Sequence, residues 1–431
     1  MKILLITYSY APDLTPRAFR WSALADRLAN EGHTLHVLCA VDAAAATDAT
    51  PSEVRVHRVR DWLINASTRV TPAATYQDPL RANEPKAAWR SRFRKLAKFI
   101  WRTMHWPDYA CGWILPAAAK ARDLCRIHRF DWVISVSHPF SGHMVAWLIR
   151  KYTHGAQWFV DIGDPFCLMA EPPPNNRRLY ARLNRWMESR ILDCADAISV
   201  TTVSTQRLYE VHFSSVCGKI HMIPPLLSLP DFALTTKRHP SNGPIRLIFV
   251  GTLYRRLRSP RFLLDCFSAL AVSLPQGAIE LHFYGAINDC SDEFDACPAA
   301  VREAVLKHGL VGRAEVMQAM VDADVLVNIG NDSESQLASK VIEYMAVGKP
   351  ILNLISLVGD TSVAALADYP AVLTLSRDSG ISTSTVERMR DFVVAPPIVP
   401  STVSAAMRER YSAARISAEY EKILSLMKPV P

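Results

Sequence analysis

Short apolar runs alternate with helical patterns along the first half of the chain. Residues 2–8 form a β-rich apolar run, the form that a strand buried on both faces takes in a parallel sheet. Residues 17–31 then carry apolar side chains at helical spacing, and Gly32 ends this pattern. Further strand signals, separated by helical stretches, lie at residues 34–39, 131–135, 158–160 and 197–201. The first half is therefore predicted to be a doubly wound α/β domain.

A second series of the same kind follows a proline-rich boundary. Prolines cluster near residues 223–225 and again within residues 237–244. Strand signals then lie at residues 245–250, 279–284 and 324–329, with helical patterns at residues 260–272 and 339–347. The predicted organisation is an N-terminal domain, a linker, a second α/β domain and a C-terminal helical segment, at residues 1–225, 226–244, 245–405 and 406–431.

Length and composition are consistent with two globular domains. The chain has 431 residues, of which 49% are hydrophobic and 21% charged, which excludes a peptide hormone or a lone binding module. Its nine cysteines are scattered and include no C-x-x-C pair, a usage typical of a reducing compartment. The apolar start is too short for a signal peptide, and no apolar run reaches about 18 residues. We therefore expect a cytoplasmic protein whose membrane contact, if any, is peripheral.

The positive charge of the chain is concentrated in one segment. The formal net charge is +8, and residues 81–105 hold eight basic residues against a single glutamate. Within residues 86–102 the basic side chains recur every four residues, and aromatic and aliphatic side chains occupy another side. Such a helix can lie on an anionic membrane surface, or it can pack on its own domain as an ordinary surface helix. Nothing else in the sequence resembles a nucleic-acid-binding module.

Candidate ligand-binding residues follow the strands of the second half, since ligands of open α/β sheets bind beyond the carboxyl ends of the strands. Gly251 and Gly285 come directly after two of these strands and would let a ligand approach the backbone. Arg255 and Arg258 supply guanidinium groups suited to phosphate oxygens. The alternative is a solvated basic turn.

The stretch at residues 336–351 carries the most specific pattern. Ser339 is a good N-cap, and the positive end of the helix that it opens, together with Lys340, suits a diphosphate. Glu343 lies one turn further on, where a carboxylate accepts hydrogen bonds from a ribose diol. Without the surrounding pattern, Glu343 would be interpreted as an ordinary exposed helix residue.

These motifs together resemble the glycosyltransferases of the GT-B fold, family 4. The resemblance rests on Ser-Lys-x-x-Glu-Tyr-Met-Ala-x-Gly-Lys-Pro from Ser339, on the loops at Gly251 and Gly285, and on residues 8–38, 135–143 and 161–166. It implies two Rossmann-like domains facing each other across a cleft, and transfer of a sugar from a nucleotide-sugar. It also implies that the segment 406–431, helical from residue 406 to 427, packs back on the first domain.

The sequence departs from the family pattern in the donor half. The family signature is two glutamates separated by seven residues; the second matches Glu343, but Ser335 stands at the first position, and Glu334 is one residue out of register. Either Glu334 reaches the donor sugar from a shifted loop, or Ser335 and Gln336 bond to it instead. The glycine pair common in the first loop is also absent, and Arg17 stands there, placed to meet a phosphate at a helix start.

In the acceptor half, the resemblance points to Asp164, which follows the strand at residues 158–160, as a group in the catalytic pocket. His143 is the second candidate, although a lone histidine is more often structural. The family further implies retention of the anomeric configuration, with the donor phosphate helping to deprotonate the acceptor, so that no dedicated base is needed. The protein then contributes positioning and charge stabilisation.

No metal or other cofactor is expected besides the nucleotide-sugar substrate. Asp322-Ala323-Asp324 spells a D-x-D metal motif, but it opens a strand at the end opposite to the ligand edge. We expect a cytoplasmic enzyme, peripheral on the inner face of the membrane through residues 86–102, acting on a lipid-linked saccharide of a surface polysaccharide pathway. Two alternatives stay open, namely a GT-B fold UDP-sugar epimerase and a non-catalytic nucleotide-sugar-binding protein. An oxidoreductase is disfavoured because no G-x-G-x-x-G follows the first strand.

Overall fold

The computed structural model describes residues 1–13, 15–41, 53–63, 103–169, 173–227 and 243–426. The chain divides into two compact units: unit 1 comprises Met1–Pro224 and the chain from Ile416 onward, and unit 2 comprises Pro225–Arg415. The basic segment 86–102 and most of the predicted linker 226–244 lie outside the described residues. Within the described ranges, no helix combines the length and the apolar character needed to span a bilayer.

Unit 1 is built on a parallel sheet of seven strands in the order β3-β2-β1-β4-β5-β6-β7. These strands are β1 (Lys2–Ile6), β2 (Thr34–Ala40), β3 (Val54–Val59), β4 (Trp132–Val136), β5 (Gln157–Asp161), β6 (Ala197–Val200) and β7 (Ile220–Met222). The residues of β4 are all buried, because helices cover both faces of a parallel sheet. The strand order reverses between β1 and β4, which is the position where such sheets bind ligands.

The helices of unit 1 lie in the connections between these strands. They are α1 (Pro16–Asn30), α2 (Ile114–Ile127), α3 (Ser141–Ile149), α4 (Arg177–Cys194) and α5 (Val203–His212). Helix α1 starts with favourable local chemistry, since the Thr15 hydroxyl accepts a hydrogen bond from the Ala18 N–H and Pro16 opens the first turn. Its apolar stripe, including Trp21 and Leu28, is buried against the sheet.

Unit 2 contains a second parallel sheet, of six strands in the order β10-β9-β8-β11-β12-β13. These are β8 (Ile245–Val250), β9 (Ile279–Tyr284), β10 (Val305–Gly309), β11 (Val325–Ile329), β12 (Ile351–Ile355) and β13 (Val372–Ser376). Its strand order reverses between β8 and β11. The predicted fold class, two doubly wound parallel sheets, is therefore confirmed.

Eight helices of unit 2 are described. They are α6 (Arg261–Val272), α7 (Ser291–Asp295), α8 (Ala299–Glu303), α9 (Arg313–Asp322), α10 (Lys340–Val347), α11 (Thr361–Ala365), α12 (Thr383–Val394) and α13 (Ser401–Arg410). Helix α10 ends as predicted at Gly348, whose positive φ of 80° supplies the left-handed residue that closes many helices.

The C-terminal segment forms two helices where the sequence predicts one. After α13 the chain breaks at Tyr411 and resumes as α14 (Ala413–Leu426). Tyr411 is buried, and its carbonyl accepts the Leu227 N–H, while the Ser412 hydroxyl accepts the Arg415 N–H at the start of the new helix. The predicted segment 406–431 therefore begins within unit 2, and the chain enters unit 1 only at Ile416.

Candidate functional site

Two glycines open the carboxyl edge of the unit 2 sheet. Gly251 follows β8 and Gly285 follows β9, with φ of +155° and +134°. A Cβ atom on Gly285 would lie 2.0 Å from the Gly251 carbonyl oxygen, so the two loops touch at a distance that only glycine allows. Both predicted glycines therefore lie together, at the edge where a ligand would approach the backbone.

Arg258 lies at the reversal point between β8 and β11. Its Nε and Nη2 donate to Asn331 Oδ1 at 3.1 and 2.7 Å, and its Nη1 lies 3.2 Å from the position of a Cβ on Gly251. Asn331 is in turn held by the hydrogen bond from its Nδ2 to the Gln336 carbonyl, at 2.9 Å. Burial lowers the pKa of Arg258, but a guanidinium stays charged at neutral pH. The structure thus presents an oriented cation at this edge.

A buried carboxylate stands beside this cation. Asp360 caps α11 through the bond from the Ser362 N–H to its Oδ1, at 2.7 Å. Its Oδ2 is buried without a hydrogen-bond partner and would lie 2.0 Å from a Cβ on Gly330. Burial raises the pKa of Asp360, and the charge of Arg258 opposes that rise. Asp360 was missed in the sequence, although an acidic residue shortly after a strand is a usable signal.

Arg255, predicted to bind phosphate, is engaged elsewhere. Its guanidinium donates to the Asp289 carbonyl at 2.6 Å, contacts the Asp292 carboxylate and lies 3.9 Å from Glu293. The side chain is exposed, and these acidic partners belong to the loop and helix that follow β9. The structure therefore does not bring Arg255 to Arg258, because local carboxylates pair with it instead.

Helix α10 carries the three residues predicted from its motif. Ser339 precedes the helix with helical backbone angles, and its side chain makes no capping hydrogen bond, contrary to the expected N-cap. Lys340 Nζ lies 2.7 Å from Oε2 of Glu343, which is nearly buried. The neighbouring Tyr344 hydroxyl accepts the Val250 N–H at 2.9 Å and so fixes α10 to the end of β8. Glu343 thereby lies on a helix that is anchored at the ligand edge.

The two candidates for the missing glutamate lie in one turn before α10. Glu334 is exposed, and its Oε1 would lie 3.0 Å from a Cβ on Gly359, so its carboxylate covers the loop between β12 and α11. Ser335 Oγ lies 3.3 Å from Ser333 Oγ within the turn itself. Of the two, it is Glu334 whose side chain reaches the loop that follows a neighbouring strand.

In unit 1, the structure brings Asp164 and His143 to the same small cavity. This cavity has a volume of about 10 Å³ and is also lined by Ser137 and Glu188. Such a space holds one water molecule at most and excludes a sugar. His143 is fully buried in α3, with its Nδ1 2.8 Å from the Ser135 hydroxyl and its Nε2 without a hydrogen-bond partner. The geometry makes His143 a core residue, whereas Asp164 is half-buried in the loop after β5.

The buried imidazole makes a pH-dependent contribution to stability. Burial lowers the pKa of His143 to about 3, below the ordinary value of about 6.5. Between these values the unfolded chain binds the proton and the folded one does not, so stability is lost as pH falls through this window. We expect His143→Gln to reduce that loss by up to about 1.4 kcal/mol per pH unit. Urea unfolding of wild type and variant at pH 7.5 and 5 measures the difference. If the free energy of unfolding falls equally in both between these pH values, the prediction is wrong.

The loop that carries Asp164 is held by a residue that sequence reasoning missed. Glu188 on α4 is fully buried and accepts hydrogen bonds from the N–H groups of Phe166 and Cys167, at 3.3 and 2.8 Å, and from the Tyr209 hydroxyl at 2.6 Å. Burial raises the pKa of Glu188, and these donors oppose the rise. Glu188 therefore fixes the path of the loop after β5.

A second buried carboxylate, also unassigned from the sequence, ends β5. The oxygens of Asp161 accept four hydrogen bonds, from Arg17 Nη1 (3.1 Å), Trp21 Nε1 (2.8 Å), Ser199 Oγ (2.6 Å) and Tyr420 OH (2.8 Å). Arg20 donates to the same Tyr420 hydroxyl at 3.0 Å. Arg17, expected to meet a phosphate, is thus paired inside unit 1, and a charged residue in a buried strand was the available signal.

The D-x-D sequence lies at the amino end of β11. Asp322 ends α9, and the Asp324 carboxylate accepts the Arg246 N–H at 2.9 Å. In the described parts of the chain, no cluster of three or more histidine, cysteine, aspartate or glutamate side chains could hold a metal ion.

Comparison with known proteins agrees with this architecture. A glycosyl transferase 4-like domain matches residues 18–225, and a glycosyl transferases group 1 domain matches residues 244–358. No curated protein matches the sequence.

Solved structures of similar fold cover nearly the whole chain. The apo form of the lipopolysaccharide outer core galactosyltransferase WaaB is 12% identical with a TM-score of 0.57, and covers 99% of both chains. WaaG, a glycosyltransferase involved in lipopolysaccharide biosynthesis, is 15% identical with a TM-score of 0.54, over 99% of this chain and 97% of that one. A UDP-forming trehalose-phosphate synthase from Burkholderia xenovorans is 12% identical with a TM-score of 0.62, over 100% and 99%. With the two matching domains, the chain belongs to the family 4-like glycosyltransferases of the GT-B fold.

Proposed function

We propose that this glycosyltransferase moves a sugar from a UDP- or GDP-linked donor onto an acceptor saccharide, with retention of the anomeric configuration. The observation that supports this proposal is the arrangement at the carboxyl edge of unit 2. There, Asn331 orients Arg258 beside Gly251, and Glu343 stands on a helix anchored to the same strand end. A cation, an open backbone and a carboxylate match a diphosphate and a ribose.

In this proposal, binding of the donor replaces an ion pair within the protein by contacts with the donor. Glu343 now binds the Lys340 ammonium at 2.7 Å. A ribose diol would donate to the Glu343 carboxylate, and the donor phosphates would then attract Lys340. Arg258 needs no such rearrangement, since Asn331 already holds it. The donor diphosphate would therefore bind Arg258, which is already oriented, and Lys340, which leaves Glu343 to contact it.

The chemical step follows from these charges. As the bond between sugar and diphosphate breaks, negative charge grows on the leaving nucleoside diphosphate, and Arg258 and Lys340 stabilise it. A phosphate oxygen of the donor accepts the proton of the attacking hydroxyl, so both events occur on one face of the sugar. Glu334 reaches the donor sugar in place of the missing glutamate.

We further propose a lipid-linked saccharide of a surface polysaccharide pathway as the acceptor, reached from the cytoplasmic side of the membrane. Two proteins of similar fold, WaaB and WaaG, are named for lipopolysaccharide synthesis. The basic segment 86–102 would draw the enzyme to the anionic inner face of that membrane.

The first test is stabilisation by the donor. UDP, GDP, ADP and their sugars are screened by thermal shift, where a ligand at 100 times its Kd stabilises by about 2.7 kcal/mol. We expect Glu343→Gln to weaken binding of the stabilising nucleotide by about tenfold, because a charge-assisted hydrogen bond to the ribose is lost. Glu387→Gln, an exposed carboxylate on α12, is the matched control. Equal shifts in both variants would remove Glu343 from the site.

Product analysis then tests the reaction itself. Incubation of the donor with an acceptor should release the nucleoside diphosphate and form a glycoside whose anomeric configuration, read by NMR, equals that of the donor. Conversion of the donor sugar without any acceptor would indicate an epimerase. Binding without turnover on any acceptor would indicate a binding protein.

A further inference from the structure

Helix α4 presents an apolar stripe on the side opposite to its buried face. Leu179, Leu183 and Trp186 recur at i, i+4 and i+7 and are 58%, 38% and 53% exposed. The buried side of the same helix, including Met187 and Ile191, packs in the core of unit 1. At 100° per residue the stripe points away from that core. An exposed stripe of large apolar side chains is a feature that commonly marks an interaction surface.

Arginines flank this stripe along the whole helix. Five of them lie on α4, and all are exposed: Arg177, Arg178, Arg182, Arg185 and Arg190. Arg185 is engaged with the neighbouring helix, since it donates to the His212 carbonyl at 3.0 Å. Arg178, Arg182 and Arg190 have no ion-pair partner among the described residues. Of the acidic residues of α4, Glu188 is buried and bonded within unit 1, whereas Asp193 is exposed near the C-terminal end of the helix. The outward face is therefore apolar, and its arginines outnumber its single carboxylate.

We infer that this face of α4 docks on an anionic lipid bilayer. Trp186 and the two leucines would enter the boundary between headgroups and acyl chains, where a tryptophan ring keeps its N–H hydrated. Arg178, Arg182 and Arg190 would then lie at the level of the phosphates and bind them through their guanidinium forks. Each basic residue near such a surface adds about 1 kcal/mol of attraction.

Charge disfavours the other occupants. The basic segment 81–105 carries eight basic residues and one glutamate, so this cationic face repels it. A second copy of the same face is repelled for the same reason. The surface also continues beyond the helix, because the Tyr180 hydroxyl donates to the carbonyl of Met104, which is 63% exposed. An apolar and anionic partner, a lipid surface, matches both properties.

The inference rests on the proposed function only in that a lipid-linked acceptor gives the enzyme a reason to be at a membrane. Docking by α4 is separate from the proposed contact through residues 86–102. Its test requires neither donor nor acceptor.

Co-sedimentation with lipid vesicles tests the docking face. The full chain is mixed with phosphatidylcholine vesicles with and without phosphatidylglycerol, at low and high salt. We expect the pairs Leu183→Gln with Trp186→Gln, and Arg178→Gln with Arg182→Gln, each to lower partitioning onto the anionic vesicles by about tenfold or more. Ile127→Gln with Arg126→Gln, exposed positions on α2, is the matched control and should partition as wild type does. Quenching by brominated lipid should be weaker in Trp186→Phe than in wild type.

The outcomes separate the occupants. Binding unchanged in both α4 pairs, or lost only in Arg90→Gln with Arg94→Gln, overturns the inference. The inference is also overturned if the wild type does not bind vesicles and the α4 pairs instead abolish another interaction. That interaction would be self-association in sedimentation equilibrium or binding of a short RNA. Donor thermal shifts on the same variants keep the two ideas distinct. If the wild type is stabilised by the donor but does not bind vesicles, the docking face alone is contradicted. If the wild type binds vesicles but no donor stabilises it, the proposed function alone is contradicted.

Discussion

Replacing Arg258 with alanine is expected to weaken nucleoside diphosphate binding by about a hundredfold, because the change removes a charge-assisted fork at the diphosphate. Arg258 is oriented by Asn331 beside Gly251, so the cation is preset for the ligand. Calorimetric titration of the nucleotide identified by thermal shift measures the loss. Arg258→Lys, which keeps the charge but not the fork, should fall between wild type and alanine.

Arg255→Ala is the matched control for that experiment. Both arginines lie in the same loop, and the sequence assigns both to phosphate, but Arg255 is paired with Asp292 and the Asp289 carbonyl. We expect its loss to change nucleotide affinity by less than about threefold, the effect of a distant, screened charge. If Arg255→Ala abolishes binding and Arg258→Ala does not, the assignment of the site to the reversal point of the sheet is wrong.

Asp161→Ala is expected to destabilise the protein by about 3–5 kcal/mol, because it leaves the Arg17 charge without its buried counter-ion. The carboxylate joins α1, β6 and α14 through the bonds from Trp21, Ser199 and Tyr420. Urea unfolding followed by circular dichroism measures the change. Tyr420→Phe, which removes the hydroxyl and keeps the ring, should cost about 1 kcal/mol. If both variants lose the same free energy of unfolding, the buried carboxylate of Asp161 contributes no more than a single hydrogen bond.

The same carboxylate adds an acid-sensitive contribution. Burial alone raises the pKa of Asp161, but the charges of Arg17 and Arg20 and the bonds from Ser199 and Trp21 outweigh it and hold the pKa below its usual range. Its contribution is therefore present above about pH 4 and is lost as pH falls further. The contribution of His143 is lost in a higher pH range, as the pH falls below about 6.5. Acid titration of the two variants should separate these windows.

Several predictions from the sequence depend on local patterns, and these agree with the structure. The buried residues of β1 and β8, at positions 3–6 and 247–250, are continuous apolar runs, and α10 ends at a glycine that takes a left-handed conformation. The glycines at the ends of β8 and β9 also lie where the pattern predicts. Local sequence suffices in these cases because burial on both faces and positive φ restrict the residue types that fit.

Side-chain partners are a different matter. Arg255 and Arg258 are three residues apart and chemically alike. Acidic residues 34 to 38 positions away bind Arg255, whereas Asn331 orients Arg258. His143 was a candidate for the pocket, but α3 turns it into the core beside Ser135. Each outcome depends on residues distant in the chain, which no local pattern contains.

The sequence by itself determined the alternation of strands and helices, the two-domain α/β class and the glycosyltransferase family, since periodic burial and short motifs are written locally. Only the tertiary structure decided which side chains meet: Arg17 with Asp161, Arg258 with Asn331, Lys340 with Glu343. It also decided that the apolar stripe of α4 faces outward. The physical reason is that pairing and exposure depend on the packing of the other elements, and packing is a property of the whole fold.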